Sequence, residues 1–311
     1  MKRLFVVLAS LALTVLGAAA QDYNAAIEAY NNGAQTLETD KAAALESFRS
    51  ALAQFEACED AEAAEMVGKC KEIIAGTVLS IAKEQINGGE YDAALVTLKE
   101  AAQVAEGYGL AEIAAEAKEL VPNTWLRKGS TLLKEKDFAG AATALKEVVV
   151  LTPEDGQSWL LLGQSLVQTG DSDGAIAALE NAAANGKEEQ ANKLLSNVYL
   201  KKGMGLLKAN KAADAISAIE KANAYQENAQ AYKLLASAYT KSGKTANAIE
   251  AYKKYLELSP NAKDASDVLF TIAATAQKAG DKATAIEYYS KLTSDAKYSA
   301  QAAQQLSALK K

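Results

Sequence analysis

Cys58 and Cys70 are the residues of this 311-residue chain whose type and spacing come nearest to covalent chemistry. Two thiols close together could pair as a disulfide in an oxidising compartment. The spacing is ambiguous about it. If the chain turns at Glu59-Asp60, Cys70 lies about ten residues into the following helix, near 15 Å away at about 1.5 Å per residue and beyond disulfide reach. A turn nearer Ala63 would bring the two level, and cysteine is also a common small core residue. The sequence leaves a Cys58–Cys70 bridge open.

Other chemistry is thinly represented. There is no histidine, so Ser-His-Asp and Cys-His arrangements and histidine-ligated metal are excluded. Gly203-Met204-Gly205 is a short echo of a glycine-rich phosphate loop inside a helical pattern, and it reads as packing. Carboxylates at helical spacing in a charged chain form a solvated face more often than a catalytic pair. No catalytic residue, metal or cofactor is expected, and the chain is read as non-enzymatic.

Composition points to helices. Half of the residues are hydrophobic, with a great deal of Ala and Leu and 3 Pro, and Ala, Leu, Glu, Lys and Gln are strong helix formers. The fold class is all-α. Residues 1–20 stand apart as a secretory signal: Lys2 and Arg3, then an apolar run from Leu4 to Gly17, then Ala18-Ala19-Ala20 before a cleavage expected ahead of Gln21. No transmembrane run follows, so the processed protein is expected in the periplasm or outside the cell. Loss of Lys2 and Arg3 leaves 31 basic against 39 acidic residues, a net charge of −8. That balance disfavours nucleic-acid binding, which needs positive charge to displace counterions.

The elements are organised by one stretch, Trp159 to Ala182. Trp159, Leu162, Gly163 and Leu166 share a helix face, Gly170-Asp171 supplies a turn, and Ala175, Leu179 and Ala182 continue on a second helix. The register recurs on both sides. Tyr30 and Gly33 lead to Ala44 and Phe48; Ile81 and Ala82 lead to Ala94 and Leu98; Trp125 and Gly129 lead to Ala141 and Leu145. Tyr199 and Gly203 lead to Ala215 and Ile219, Tyr232 and Ala236 to Ala248 and Tyr252, Leu269 and Ala273 to Ala285 and Tyr289. Small residues let two antiparallel helices approach, and large ones fill the space around the contact. Pro153 and Pro260 stop second helices.

The Ala175-type residues are separated by 50, 47, 34, 40, 33 and 37 positions. The early excess falls in Ala61 to Gly76 and Leu110 to Val121, read as lengthened or bent first helices, with separate extra helices as the alternative. The expected organisation is a signal at 1–20, long hairpins over 21–121, an array over 122–298 with Pro122 at its start, and a capping helix over 299–311.

These hairpins resemble the tetratricopeptide repeat family over nearly all of the chain after the signal. The resemblance implies a right-handed superhelical solenoid of about seven antiparallel hairpins, and a protein or peptide segment bound on its concave face by the first helix of each hairpin. Carried over by register, that face includes Lys134, Gln164, Gln168, Met204, Lys208, Ser237, Lys241, Phe270 and Lys278, with Leu126, Leu160, Leu207 and Gln277 among their neighbours. Lys134, Lys208, Lys241 and Lys278 occupy equivalent positions and would form a basic line suited to an acidic segment or a free carboxylate. First-helix ends also favour lysine through the helix dipole. The two-carboxylate clamp of chaperone-binding members is missing: Lys233 could supply its first lysine, but Ser237 and Thr271 stand where it needs asparagines. An exported scaffold or adaptor is the expectation. The alternative is a binding protein for an envelope glycan or cell-wall peptide, which would need exposed aromatic platforms, whereas Trp125 and Trp159 fall on core positions. Oligomeric state is not specified by the sequence.

Overall fold

The computed structural model describes residues 23–58 and 61–310; the expected signal at 1–20 lies outside them. The described chain is all-α. In order the helices are α1 (Tyr23–Thr36), α2 (Lys41–Ala57), α3 (Ala61–Asn87), α4 (Tyr91–Gly107), α5 (Ala111–Lys134), α6 (Phe138–Leu151), α7 (Gly156–Thr169) and α8 (Ser172–Ala182). They continue as α9 (Glu188–Lys208), α10 (Ala212–Tyr225), α11 (Ala229–Lys241), α12 (Thr245–Leu258), α13 (Ala265–Lys278), α14 (Lys282–Ser290) and α15 (Ser299–Leu309). Consecutive helices pair as hairpins, and the second helix of each hairpin packs on the first helix of the next. Among the described residues no helix is long and apolar enough to cross a membrane.

The chain divides into two compact units between Thr124 and Trp125. In the first, Phe48, Phe55, Ile74, Val78 and Leu98 form a fully buried core. Tyr30 meets Phe48 edge-on at 5.4 Å, and Tyr23 meets Phe55 in the same way at 5.5 Å. The extra sequence before each early hairpin is absorbed by continuous helices: α3 has 27 residues and α5 has 24, with Pro122 inside it. No separate extra helix interrupts either of these spans.

Both cysteines lie in this unit. Both side chains are thiols, and the Cys58–Cys70 bridge is not formed. Cys58 caps the end of α2, where its thiol donates to the Gln54 carbonyl at 3.3 Å. Cys70 is completely buried, well inside α3. Burial, and then the neighbouring Glu56 charge, push its thiol up to about 11.

In the second unit each hairpin closes on a small residue of its first helix. Gly163 faces Leu179, Gly129 faces Leu145 and Gly203 faces Ile219, all at distances no side chain would tolerate. Ala236 and Ala273 hold the same position in the last two hairpins and are fully buried. At the hairpin tips Gly170, Gly243 and Gly280 take positive φ, the left-handed geometry that glycine adopts without steric cost. Asp137, Asp171 and Asp281 cap α6, α8 and α14, each accepting a backbone N–H of the first turn. At the other end α6 and α12 stop two residues before Pro153 and Pro260. Helix α15 lays Ala302 and Leu306 against the core around Tyr289, and Gln305 accepts from Gln277 at 2.9 Å.

Candidate functional site

First helices present two kinds of surface in the second unit. One row faces the partner helix and is buried; the other carries the residues expected to meet a ligand. Lys134, Lys208, Lys241 and Lys278 are exposed, and each is the last residue of its helix, α5, α9, α11 and α13. That position puts a positive charge against the negative end of the helix dipole, which accounts for all four as stabilising residues. Helix α7 ends instead at Thr169 and presents Gln168, exposed, and Gln164, half-buried. Met204 is 40% exposed, unusual for a methionine in a packed array.

Two neighbouring positions differ from expectation. Leu160 and Leu207 are buried, at 4% and 7% exposure. Leu160 packs with Leu179 and Leu195, and Leu207 with Ala215 and Ile219; stacking of neighbouring helices takes them out of the ligand-facing row. Gln277 is also engaged, accepting from Tyr289 Oη at 2.8 Å while donating to Gln305.

Phe270 and Lys278 are brought together. They line a groove of about 610 Å³ with Thr275 on α13, facing Thr240, Gly243 and Thr245 at the tip of the preceding hairpin. Phe270 is held firmly there: its ring stacks on Tyr298 at 4.5 Å and meets Tyr289 edge-on at 5.7 Å. Ser237 is half-buried on α11, one turn before Lys241. Lys134, Gln164, Gln168, Met204 and Lys208 belong to earlier hairpins and do not line this groove. Of the groove's threonines, Thr240 falls in the register carried over for the ligand-facing row, while Thr245 and Thr275 lie outside it and carry no motif of their own.

Lys233 illustrates how a candidate ligand group is already spent. Its ammonium bonds to Asp264 and lies 5.5 Å from the centre of the Tyr255 ring, while Tyr255 donates to the same carboxylate at 2.6 Å. Lys233, and then Tyr255, hold the Asp264 carboxyl below the usual carboxylate range. Both tryptophans are similarly occupied: their rings pack on the hydrophobic core, and Trp159 donates its indole N–H to the Pro153 carbonyl at 2.8 Å. Both rings are half-buried against that core.

Family models described as tetratricopeptide repeat match residues 126–191, 200–263 and 267–296, about half of the chain. The chain is a tetratricopeptide-repeat protein. No curated protein gave a significant sequence match. Among solved structures, it is similar to MamA at 23% identity over 59% of this chain and 96% of that one, with a TM-score of 0.37. MamA from Desulfovibrio magneticus RS-1 matches at 21% identity over 55% and 93%, with a TM-score of 0.34. The C-terminal part of a tetratricopeptide repeat-containing protein from Cytophaga hutchinsonii matches at 18% identity over 69% and 78%, with a TM-score of 0.38. The family assignment rests on the sequence models. Tetratricopeptide repeats characteristically serve protein–protein contact and are usually non-catalytic, so the exposed first-helix residues of this repeat protein are where a partner would be sought.

Proposed function

We propose that this protein is an exported, non-enzymatic scaffold that binds a protein or peptide segment along the exposed face of its first helices, from α5 through α13. The observation that carries the reading is the contrast within each first helix. One side is consumed by packing, while Gln168 and Met204 stay exposed on the other. Export is supported by the basic start, apolar run and small residues of positions 2–20.

The test is photocrosslinking in intact cells from a reactive residue at Gln168 or Met204, with Val150 as control. Val150 is 76% exposed on a second helix. Protein adducts from the first-helix positions and not from Val150 are expected. Recovery of glycans or cell-wall peptides alone would overturn the scaffold reading. N-terminal sequencing of the protein from the cell envelope or medium should begin at Gln21, and a retained Met1 would refute cleavage.

A further inference from the structure

The hairpin tips of the second unit carry an arrangement that fold stability does not explain. Among the described residues, five helices begin after an acidic residue four places ahead of the Ala175-type position, Asp40, Glu90, Asp137, Asp171 and Asp281, and the four aspartates cap their helices with the side chain while Glu90 does not. Two break the rule. Lys211 and Lys244 hold that position before α10 and α12, and neither side chain caps its helix. A lysine there gives up a cap hydrogen bond and sets a positive charge against the positive end of the helix dipole. Such a local conflict with stability tends to mark a functional position.

Both exceptions lie in adjacent hairpins and each sits three residues after a first-helix terminal lysine, giving Lys208 with Lys211 and Lys241 with Lys244. Among the described residues none of the four pairs with a carboxylate. Lys241 reaches the Leu207 carbonyl at 3.5 Å, and Lys244 lies 5.9 Å from the Tyr239 ring centre. Other lysines of this unit do pair with carboxylates: Lys202 with Asp173 at 2.8 Å, Lys254 with Glu257 at 2.8 Å, and Lys233 with Asp264. Asp214 in the first turn of α10 is the one acidic residue in the first turns of these two second helices. Gly243, between Lys241 and Lys244, is itself a wall of the groove that Lys278 and Phe270 line.

We infer that this basic edge seats an acidic polypeptide segment, with carboxylates on Lys208, Lys211, Lys241 and Lys244 and an apolar side chain in the groove over Phe270 and Lys278. This rests on the reading of the protein as a segment-binding scaffold and names the chemistry of its segment. Charge complementarity selects a carboxylate-bearing partner. A short segment feels the local lysines within about one Debye length, roughly 8–10 Å. A long polyanion would also feel the chain's net charge of −6, which opposes it. The apolar and hydroxyl-lined groove suits side chains of a peptide better than a phosphate backbone.

The test uses the full chain and a short fluorescent peptide of alternating Glu and Leu, with a Gln-Leu counterpart, followed by fluorescence anisotropy. The Glu peptide should bind and the Gln peptide should not, with affinity falling as salt rises from about 50 to about 300 mM. Lys211→Asp together with Lys244→Asp should weaken binding by about tenfold or more while leaving the thermal midpoint unchanged or higher, since the new aspartates can cap α10 and α12. That opposition separates lost recognition from lost folding. Equal binding of both peptides, unchanged affinity in the double variant, or preference for phosphatidylglycerol vesicles or a single-stranded oligonucleotide would overturn the inference. If the Glu peptide is ignored while first-helix photocrosslinks to protein persist, the edge proposal falls and the scaffold stands. If those crosslinks yield no protein, the scaffold reading itself falls.

Discussion

A β-carbon placed on Gly163 would lie 2.6 Å from Cγ of Leu179. The same relationship joins Gly33 to Phe48, Gly129 to Leu145 and Gly203 to Ile219 at 2.5–2.8 Å. The glycine of the repeat is therefore a contact residue, chosen for the side chain it lacks. Its conformational freedom is irrelevant here, because it sits inside a regular helix.

Gly163→Ala should destabilise the chain although alanine is the better helix former. Overpacking costs about 1–3 kcal/mol, against a helix gain of roughly 1 kcal/mol. Gly205→Ala is the control, since nothing lies within 4 Å of its absent β-carbon, and it should stabilise by about 0.5–1 kcal/mol. Urea denaturation of the two variants decides this; a stabilised Gly163→Ala would mean that Leu179 yields freely.

The caps offer a second measurement. Asp171 accepts the Gly174 N–H at 2.9 Å, and a β-carbon at Gly174 would fall 2.4 Å from its carboxylate. Asp171→Ala should cost about 1 kcal/mol. Gly174→Ala should cost a comparable amount by displacing the cap, despite its better propensity, and the two losses should not add in the double variant, because they break one interaction. Additive losses in thermal or urea melts would disprove a shared cause.

Much of this was legible in advance. Gly163, Ala175 and Leu179 announce a hairpin because small and large residues must alternate across a close helix contact, and the described residues form seven such hairpins. The early spacing excess was legible only as an ambiguity, because Pro122 can end a helix or, as here, be carried within one. The site was less legible. Leu160 and Leu207 look ligand-facing in register, yet packing from neighbouring helices buries them, a tertiary effect that no local pattern encodes. Lys211 and Lys244 were readable, four residues before Ala215 and Ala248, but only against the acidic caps of the other hairpins.

Alkaline titration should single out two tyrosines. Burial first, then a hydrogen bond to Glu180, pushes Tyr225 up to about 12; burial and Glu220 do the same for Tyr239. Their folded values are raised, so the stability they contribute is complete below about pH 10, the unfolded value, and is lost as pH climbs toward 12. Ultraviolet phenolate absorbance should show a late-ionising fraction that shrinks in Tyr225→Phe and Tyr239→Phe. An unchanged curve would refute the assignment.

Cys70 should resist alkylation in the folded protein, since the thiolate is the reactive form and burial suppresses it. Iodoacetamide followed by mass spectrometry, without reductant, should leave Cys70 unmodified until denaturant is added, when both thiols should react. Rapid native labelling of Cys70 would contradict its burial.

The lysines ahead of α10 and α12 also shape how the array comes apart. In stacked repeats, stability is shared between each repeat and its neighbours, and a weak repeat survives by leaning on both sides. Two such repeats lie next to each other inside the second unit, flanked by aspartate-capped α8 and α14. Opening should therefore begin in the interior and not fray inward from the C-terminal helix. Amide hydrogen exchange should be fastest, among second-helix first turns of this unit, at Ala212–Ala215 and Thr245–Ala248. A partner segment lying across those lysines would close the weak seam, so that binding and local folding are one event.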